Sequence, residues 1–285
     1  MKINKDMHIL IVGLGLLGGS YAMALKKKGY PVEAVTRSQS SVDYALAHGL
    51  IDRGASRVDE EMVKRADLVV FALYPGVLLK WIADYQHLFR PGTILTDVTG
   101  VKGGIVERVQ GMLRDDLEFI AAHPMAGREV YGVENSDDRI FSGANYIVVP
   151  TEKNTESAIE LCESLGWELG FRAVSRLTPQ AHDEMIAYLS QLTHCIAVTL
   201  MCCHDNKNLE EYTGDSFRDL TRIAKINDAM WSELFLLNKS ALLEQMDLFM
   251  AKFQELRNDL ETENLEDMRA MMRLSTERRK RFDQA

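Results

Sequence analysis

An apolar run, Ile9-Leu10-Ile11-Val12, leads directly into Gly13-Leu14-Gly15-Leu16-Leu17-Gly18, and a helical pattern opens on the last of these residues. A strand, a GxGxxG turn and a helix in that order is the fingerprint of a dinucleotide-binding βαβ unit. Each glycine has its own physical task. Gly13 permits the tight turn, Gly15 lets the backbone approach a pyrophosphate, and Gly18 allows the helix to pack closely on the strand. The unpaired amides at the helix N-terminus, around Leu16 and Leu17, then point at the phosphates. The same glycines explain why Lys2, Lys5, the apolar run and Ala22-Met23-Ala24 only superficially look like a secretory signal.

From His8 to about Val174, short β-branched runs alternate with helical patterns, which predicts a mostly parallel sheet with crossover helices. Strands are expected at 9–12, 32–36, 68–73, 93–98, 118–121, 146–149 and 168–174, and helices at 20–28, 41–48, 76–86 and 103–113. After Thr178-Pro179, a plausible N-cap and first helical residue, there is no proline and almost no glycine, and a helical apolar period runs to the end. The 285 residues therefore divide into an α/β Rossmann-type dinucleotide-binding domain, 1–177, and an all-α domain, 178–285, with no flexible linker. The last segment, about 241–282, has one apolar and one charged helical face, suited to helix packing within the chain or across a dimer. Its terminal Arg278-Arg279-Lys280-Arg281 run is expected to be a solvated helix C-terminus.

With 33 Lys and Arg against 42 Asp and Glu, the formal charge is −9. That balance opposes non-specific attraction to nucleic acid or to an anionic membrane, so an anionic ligand must be held by a local cationic site. No apolar run approaching the roughly 20 residues of a membrane span is expected, and a soluble, cytoplasmic protein is. Cys162, Cys195, Cys202 and Cys203 form no metal-type pair and are expected to be reduced core thiols. No metal site is expected.

The end of the second strand selects the dinucleotide. An acidic residue there would accept hydrogen bonds from the ribose hydroxyls and repel a 2′-phosphate. This chain has Thr36-Arg37-Ser38 instead, a forked cation and a hydroxyl, which favours NADP while leaving NAD open.

Four further groups of residues bear on chemistry: Asp97-Val98-Thr99-Gly100-Val101-Lys102; His123-Pro124-Met125-Ala126-Gly127; His182-Asp183 through Ser190-Gln191-Leu192-Thr193-His194; and Phe217-Arg218-Asp219-Leu220-Thr221-Arg222-Ile223-Ala224 followed by Trp231 and Asn238. Together with the glycine fingerprint, this set resembles the prephenate and arogenate dehydrogenase family, in the same order over nearly the whole chain. The resemblance implies a nicotinamide domain followed by a helical dimerisation domain, the 6-phosphogluconate-dehydrogenase-like architecture, and a homodimer joined through its C-terminal helices. It also implies oxidative decarboxylation of a cyclohexadienol in tyrosine synthesis, with prephenate the expected substrate and arogenate, the amino acid analogue, the alternative.

By that resemblance His123 is the catalytic residue. A neutral imidazole there would accept a hydrogen bond from the substrate hydroxyl near pH 7. His194 would help orient the substrate, and Arg222 would bind a carboxylate of the dicarboxylate substrate through two hydrogen bonds. Trp231 would line or close the pocket, and Asp219 would hold local hydrogen bonds or gate access; Lys102, by its place just beyond the strand at 93–98, is expected to add positive potential near the nicotinamide or the substrate. His182-Asp183 also matches the family, and a structural or interdomain role is expected there. The chain departs from the family at Gly100, where many members have Ser and where Thr99 is the candidate substitute, and at Gln191, Thr193 and Asp215-Ser216. A β-hydroxyacid dehydrogenase would use a lysine base on the first long helix of the second domain, but residues 179–206 contain no Lys or Arg. A non-catalytic dinucleotide sensor is the remaining alternative class.

Overall fold

In the computed structural model, which describes residues 1–128, 130–205 and 207–283, six strands form one parallel sheet. They are β1 (Ile9–Val12), β2 (Val32–Val35), β3 (Arg53–Ala55), β4 (Leu68–Phe71), β5 (Ile94–Asp97) and β6 (Glu118–Phe119), in the spatial order β3-β2-β1-β4-β5-β6. The crossovers are α1 (Leu16–Lys27), α2 (Gln39–Ala47), α3 (Glu60–Arg65), α4 (Pro75–Tyr85) and α5 (Gly103–Met112). The chain leaves β1 towards β2 and returns to β4 on its other side, so a crevice opens above the carboxyl ends of β1 and β4.

The continuous apolar runs follow from burial on both faces. Ile9, Ile11, Leu68 and Val70 pack into one layer with Tyr21 and Leu25 of α1, while Leu10, Val12, Val69 and Phe71 pack into the other with Leu78, Ile82, Ile105 and Val109 of α4 and α5. At the turn out of β1, Gly13 has φ +101° and its amide donates to Val35 O at 2.8 Å. A Cβ on Gly18 would lie 1.9 Å from Gly13 O, so glycine is required there by contact with backbone.

The expected strand at 118–121 is two strands in two sheets. After β6 the chain passes Ile120 and enters β7 (Ala121–Pro124), which pairs antiparallel with β8 (Asn145–Val149); β8 pairs parallel with β9 (Ala173–Arg176). The strand expected at 168–174 begins later, as β9, because Glu156–Leu169 forms a helix, α6. Thr155 caps it by accepting from Ala158 N, and Ala158, Ile159, Leu161, Cys162, Leu165 and Leu169 make its buried stripe. Gly170, at φ +92°, ends it in the left-handed conformation.

The remaining elements are helical: α7 (Pro179–Ile186), α8 (Thr193–Cys202), α9 (Leu209–Tyr212), α10 (Asp215–Thr221), α11 (Asp228–Leu237), α12 (Lys239–Glu261) and α13 (Leu265–Arg279). Thr178 caps α7 by accepting from Ala181 N, and Pro179 occupies its first turn. A π-helical stretch, Ala187–Leu192, joins α7 to α8, so the helix runs unbroken over the 24 residues Pro179–Cys202. That segment is long and apolar enough to cross a membrane by length and composition, which corrects the expectation that no run approaches a span. Three of its polar residues are buried in protein and hydrogen-bonded there: His182, Asp183 and Gln191. Of the cysteines only Cys162 is a core thiol; Cys195 is half-buried, and Cys202 and Cys203 are exposed. The long helices α12 and α13 pack as a hairpin and leave Phe249, Met250, Phe253, Leu260 and Met272 exposed.

The two turn glycines make opposite demands on a methyl group. Gly18→Ala forces a clash with Gly13 O, and the expected loss of stability is about 1–3 kcal/mol in urea unfolding. Gly15→Ala meets nothing within 4 Å and is expected to leave the unfolding midpoint of the ligand-free protein unchanged. Equal midpoints for the two variants would contradict this account.

Candidate active site

The glycine turn meets the fit expected for a dinucleotide. Gly15 is the N-cap of α1, and open space lies where its Cβ would be, so a pyrophosphate can reach the backbone and the first helical amides. At the end of β2, Thr36 N donates to Ala55 O at 3.0 Å. Ser38 caps α2 through its Oγ, which accepts from Ser41 N at 3.2 Å, and Arg37 is exposed beside it.

At the end of β5, Asp97 starts a polar network with no side-chain exposure. Its Oδ1 accepts from Ala122 N at 3.1 Å, and its Oδ2 accepts from Thr99 N at 3.0 Å, from Thr99 Oγ1 and from Lys102 Nζ at 2.7 Å. Lys102 Nζ also donates to Thr99 Oγ1 at 3.2 Å and to Ala122 O at 2.6 Å. An ammonium has three donors, and all three are used inside the protein. Burial lowers the Lys102 pKa, and the facing Asp97 carboxylate opposes that shift. Lys102 therefore lends its surroundings the positive potential of a fully buried charge and has no donor left to offer a ligand. The same holds for Thr99 as a substitute hydroxyl, since its Oγ1 is committed to Asp97 and Lys102.

His123 lies on β7, next to this network. Its Nδ1 is 2.9 Å from His182 Nε2, and His182 Nδ1 is 2.7 Å from Asp183 Oδ1. Asp183 also accepts from Lys102 N at 2.8 Å and from Gly103 N at 2.7 Å, capping α5 from the helical segment. Burial pushes the His123 pKa well below its usual value, with the His182 ring and the Lys102 charge acting in the same direction. Burial also lowers His182, against the opposing pull of Asp183. From sequence, His182-Asp183 carries the expectation of a structural or interdomain role. The dipeptide at the start of the first helix after the sheet was the available signal, but only the fold shows that it meets His123.

Helix α11 closes over this point. A Cβ on Gly100 would lie 3.9 Å from both Cε1 and Nε2 of His123 and 3.8 Å from Leu234 Cδ1. Gln191 Nε2 donates to Leu234 O at 3.0 Å, and Asn238 Nδ2 donates to Gln191 Oε1 and to Asp183 O, both at 2.8 Å. Glu233 Oε1 accepts from Gly76 N at 2.9 Å, at the start of α4. One turn before Leu234, Trp231 packs on the His194 ring with centroids 3.8 Å apart, and His194 Nδ1 lies 2.8 Å from Ser190 O. Asp219 on α10 and Arg222 on the following turn are exposed, and that turn packs against α8, the helix bearing His194. The structure thus joins His123, Gly100 and Leu234 in one group and His194 and Trp231 in another, both walled by α11.

A parallel sheet with a glycine-turn phosphate cradle, and a buried imidazole of lowered pKa presented from the neighbouring strand β7, define an NAD(P)-dependent oxidoreductase. Comparison with known proteins is specific. Residues 21–175 match the family described as "Prephenate dehydrogenase, nucleotide-binding domain", and residues 178–274 match "Prephenate dehydrogenase, dimerization domain". The chain is 31% identical over 280 residues to the prephenate dehydrogenase of Bacillus subtilis, covering 94% of this chain and 74% of that one. It is 28% identical over 265 residues to the cyclohexadienyl dehydrogenase of Zymomonas mobilis, covering 90% and 89%. The crystal structure of Aquifex aeolicus prephenate dehydrogenase in complex with hydroxyphenyl propionate and NAD+ superposes with a TM-score of 0.88 at 26% identity, covering 96% and 97%. The chain belongs to the prephenate dehydrogenase family.

The two lowered imidazole pKa values give a signed expectation. Above about pH 6.5 both rings are neutral in the folded and the unfolded chain; below it the unfolded chain binds protons that the folded site refuses. Stability contributed by these two neutral rings is therefore lost as pH falls from 6.5 towards their folded pKa values. The urea midpoint should fall between pH 7 and pH 5, and less steeply in His182→Gln. Parallel slopes in the two proteins would contradict the assignment.

Proposed function

We propose that this chain is a prephenate dehydrogenase, converting prephenate to 4-hydroxyphenylpyruvate and carbon dioxide, with His123 as the hydrogen-bond acceptor for the substrate hydroxyl. The observation that supports this reading best is the chain of contacts from Asp183 through His182 to His123 Nδ1, which leaves His123 Nε2 on the side of Gly100, where there is no side chain; burial lowers the imidazole pKa. An imidazole held neutral can accept a proton as hydride leaves the hydroxyl-bearing carbon. The bound nicotinamide supplies the hydride acceptor, and the ring carboxylate departs as carbon dioxide as the ring becomes aromatic. The proton received at His123 Nε2 then returns to the phenol oxygen, so the imidazole ends neutral.

The substrate is a dicarboxylate, and in an acidic protein Arg222 is the candidate partner for one carboxylate, with His194 and Trp231 forming the wall against which the ring is oriented. Asp219 stands on the same outer rim. Gly13 and Gly18 shape the turn of the cofactor site, and Gly15 with the amides of Leu16 and Leu17 meets the pyrophosphate. Arg37 supports a preference for NADP, because no acidic side chain stands at 36–38 to repel a 2′-phosphate. The exposed apolar face of α12 and α13 supports a homodimer joined there, the division at 177/178 separates the two functional units, and a cytoplasmic setting suits the chemistry.

The test offers prephenate and arogenate separately, each with NAD and NADP, and follows nicotinamide reduction. Turnover of prephenate, faster with NADP, is the expected result; turnover of arogenate alone would overturn the substrate assignment. His123→Asn should lower kcat by about 10²–10⁴-fold with little change in KM, and Arg222→Ala should chiefly raise KM. Near-normal kcat in His123→Asn would remove the proposed acceptor.

A further inference from the structure

We propose that His182 and Asp183 are positioning residues that set the tautomer of His123, so that its Nε2 presents a lone pair to the cleft. This rests on the reading of His123 as the acceptor of the substrate hydroxyl. The argument begins at Asp183, whose two oxygens already accept the backbone amides of Lys102 and Gly103. A carboxylate in that role has no proton to give, so in its contact with His182 the imidazole Nδ1–H is the donor. A neutral imidazole has a single N–H, and burial favours the neutral form of His182. Its Nε2 is then an acceptor, and the only proton that can fill the contact with His123 is the one on His123 Nδ1. With the proton on Nδ1, His123 Nε2 is left bare, and that edge faces Gly100, whose Cβ position lies 3.9 Å from Nε2 and carries no side chain.

The charges around the pair hold it in this state. Lys102, fully buried, disfavours protonation of both rings, while Asp97 and Asp183 pull the other way on His182. Without the acceptor at His182 Nε2, nothing in this chain of bonds would keep the His123 proton on Nδ1, and a hydrogen on Nε2 would meet the substrate hydroxyl as a competing donor. The arrangement has a further consequence. His123 belongs to the sheet domain, whereas His182 and Asp183 belong to the first helix beyond it, so the accepting tautomer exists only when the two parts are docked.

The experiment reads the tautomer directly, by long-range 1H–15N correlation on the full-length protein with 15N-labelled histidine rings, assigned through His123→Asn and His182→Gln. The expected wild-type result is His123 protonated on Nδ1. His182→Gln, whose amide oxygen can stand near the position of Nε2, should keep kcat within about 10-fold. His182→Leu should lower kcat by about 100-fold with KM nearly unchanged, and should show His123 with its proton on Nε2. A wild-type His123 protonated on Nε2 overturns the proposal whatever the variants do, and so does a folded His182→Leu with normal kcat. His123→Asn with normal kcat would instead remove the catalytic reading and leave the tautomer result standing, so the two failures are distinguishable.

Discussion

The carboxylate of Asp183 accepts three hydrogen bonds, from Lys102 N, Gly103 N and His182 Nδ1, and much of the site depends on that one group. It lies on α7, yet it caps α5, so it fixes where the helical part stands against the sheet. Each charge-assisted bond of this kind contributes roughly 1.5–3 kcal/mol. The same contact places His182 beside His123, and through Asn238, which donates to the backbone carbonyl of Asp183, it ties α12 to α7. Capping, docking and the orientation of His123 thus share one anchor.

The second anchor is the Asp97–Lys102 pair. Two charges without solvent exposure are tolerated because Lys102 Nζ donates three times and both Asp97 oxygens accept, the Ala122 backbone one residue before His123 included. Removing one partner of such a pair would cost about 3–5 kcal/mol. The pair stitches the end of β5 to β7, across the break between the two sheets, and so holds the strand that presents His123.

Where local pattern and burial coincide, the residues disclose their structure directly. The run Ile9–Val12, the glycine turn and the Thr178-Pro179 helix start are legible because each depends on neighbours in sequence. The helix at 156–169 is hidden because Glu168 and Leu169 run on into the strand-like residues that end at Val174, whereas the preceding stripe of Ala158, Cys162 and Leu165 continues through Leu169. The break between β6 and β7 is a choice of partner strand, which no local window contains. Lys102 is the clearest case in the site. A lysine at a helix start reads as an available cation, and only the three-dimensional placement of Asp97, Thr99 and Ala122 shows that its donors are spent. His182 is the converse, a residue whose chemistry appears only once β7 is brought against α7.

The helical part meets the sheet domain through two carboxylates at helix N-termini, Asp183 on α5 and Glu233 on α4. Those helices follow β5 and β4, so both contacts fall above the carboxyl ends of adjacent strands, where a parallel sheet collects its ligands. The cleft is consequently closed by the same favourable helix-end electrostatics that α1, left uncapped by any side chain, offers to a pyrophosphate. Within that cleft the segment 99–101 has no hydroxyl to offer beside His123: Thr99 is turned into the Asp97 network, Gly100 has no side chain, and Val101 is apolar and buried. On the proposed reading, alignment of a substrate hydroxyl from this segment's side rests on the imidazole itself, so the bonds behind His123 matter more here than they would with a second polar group in front of it.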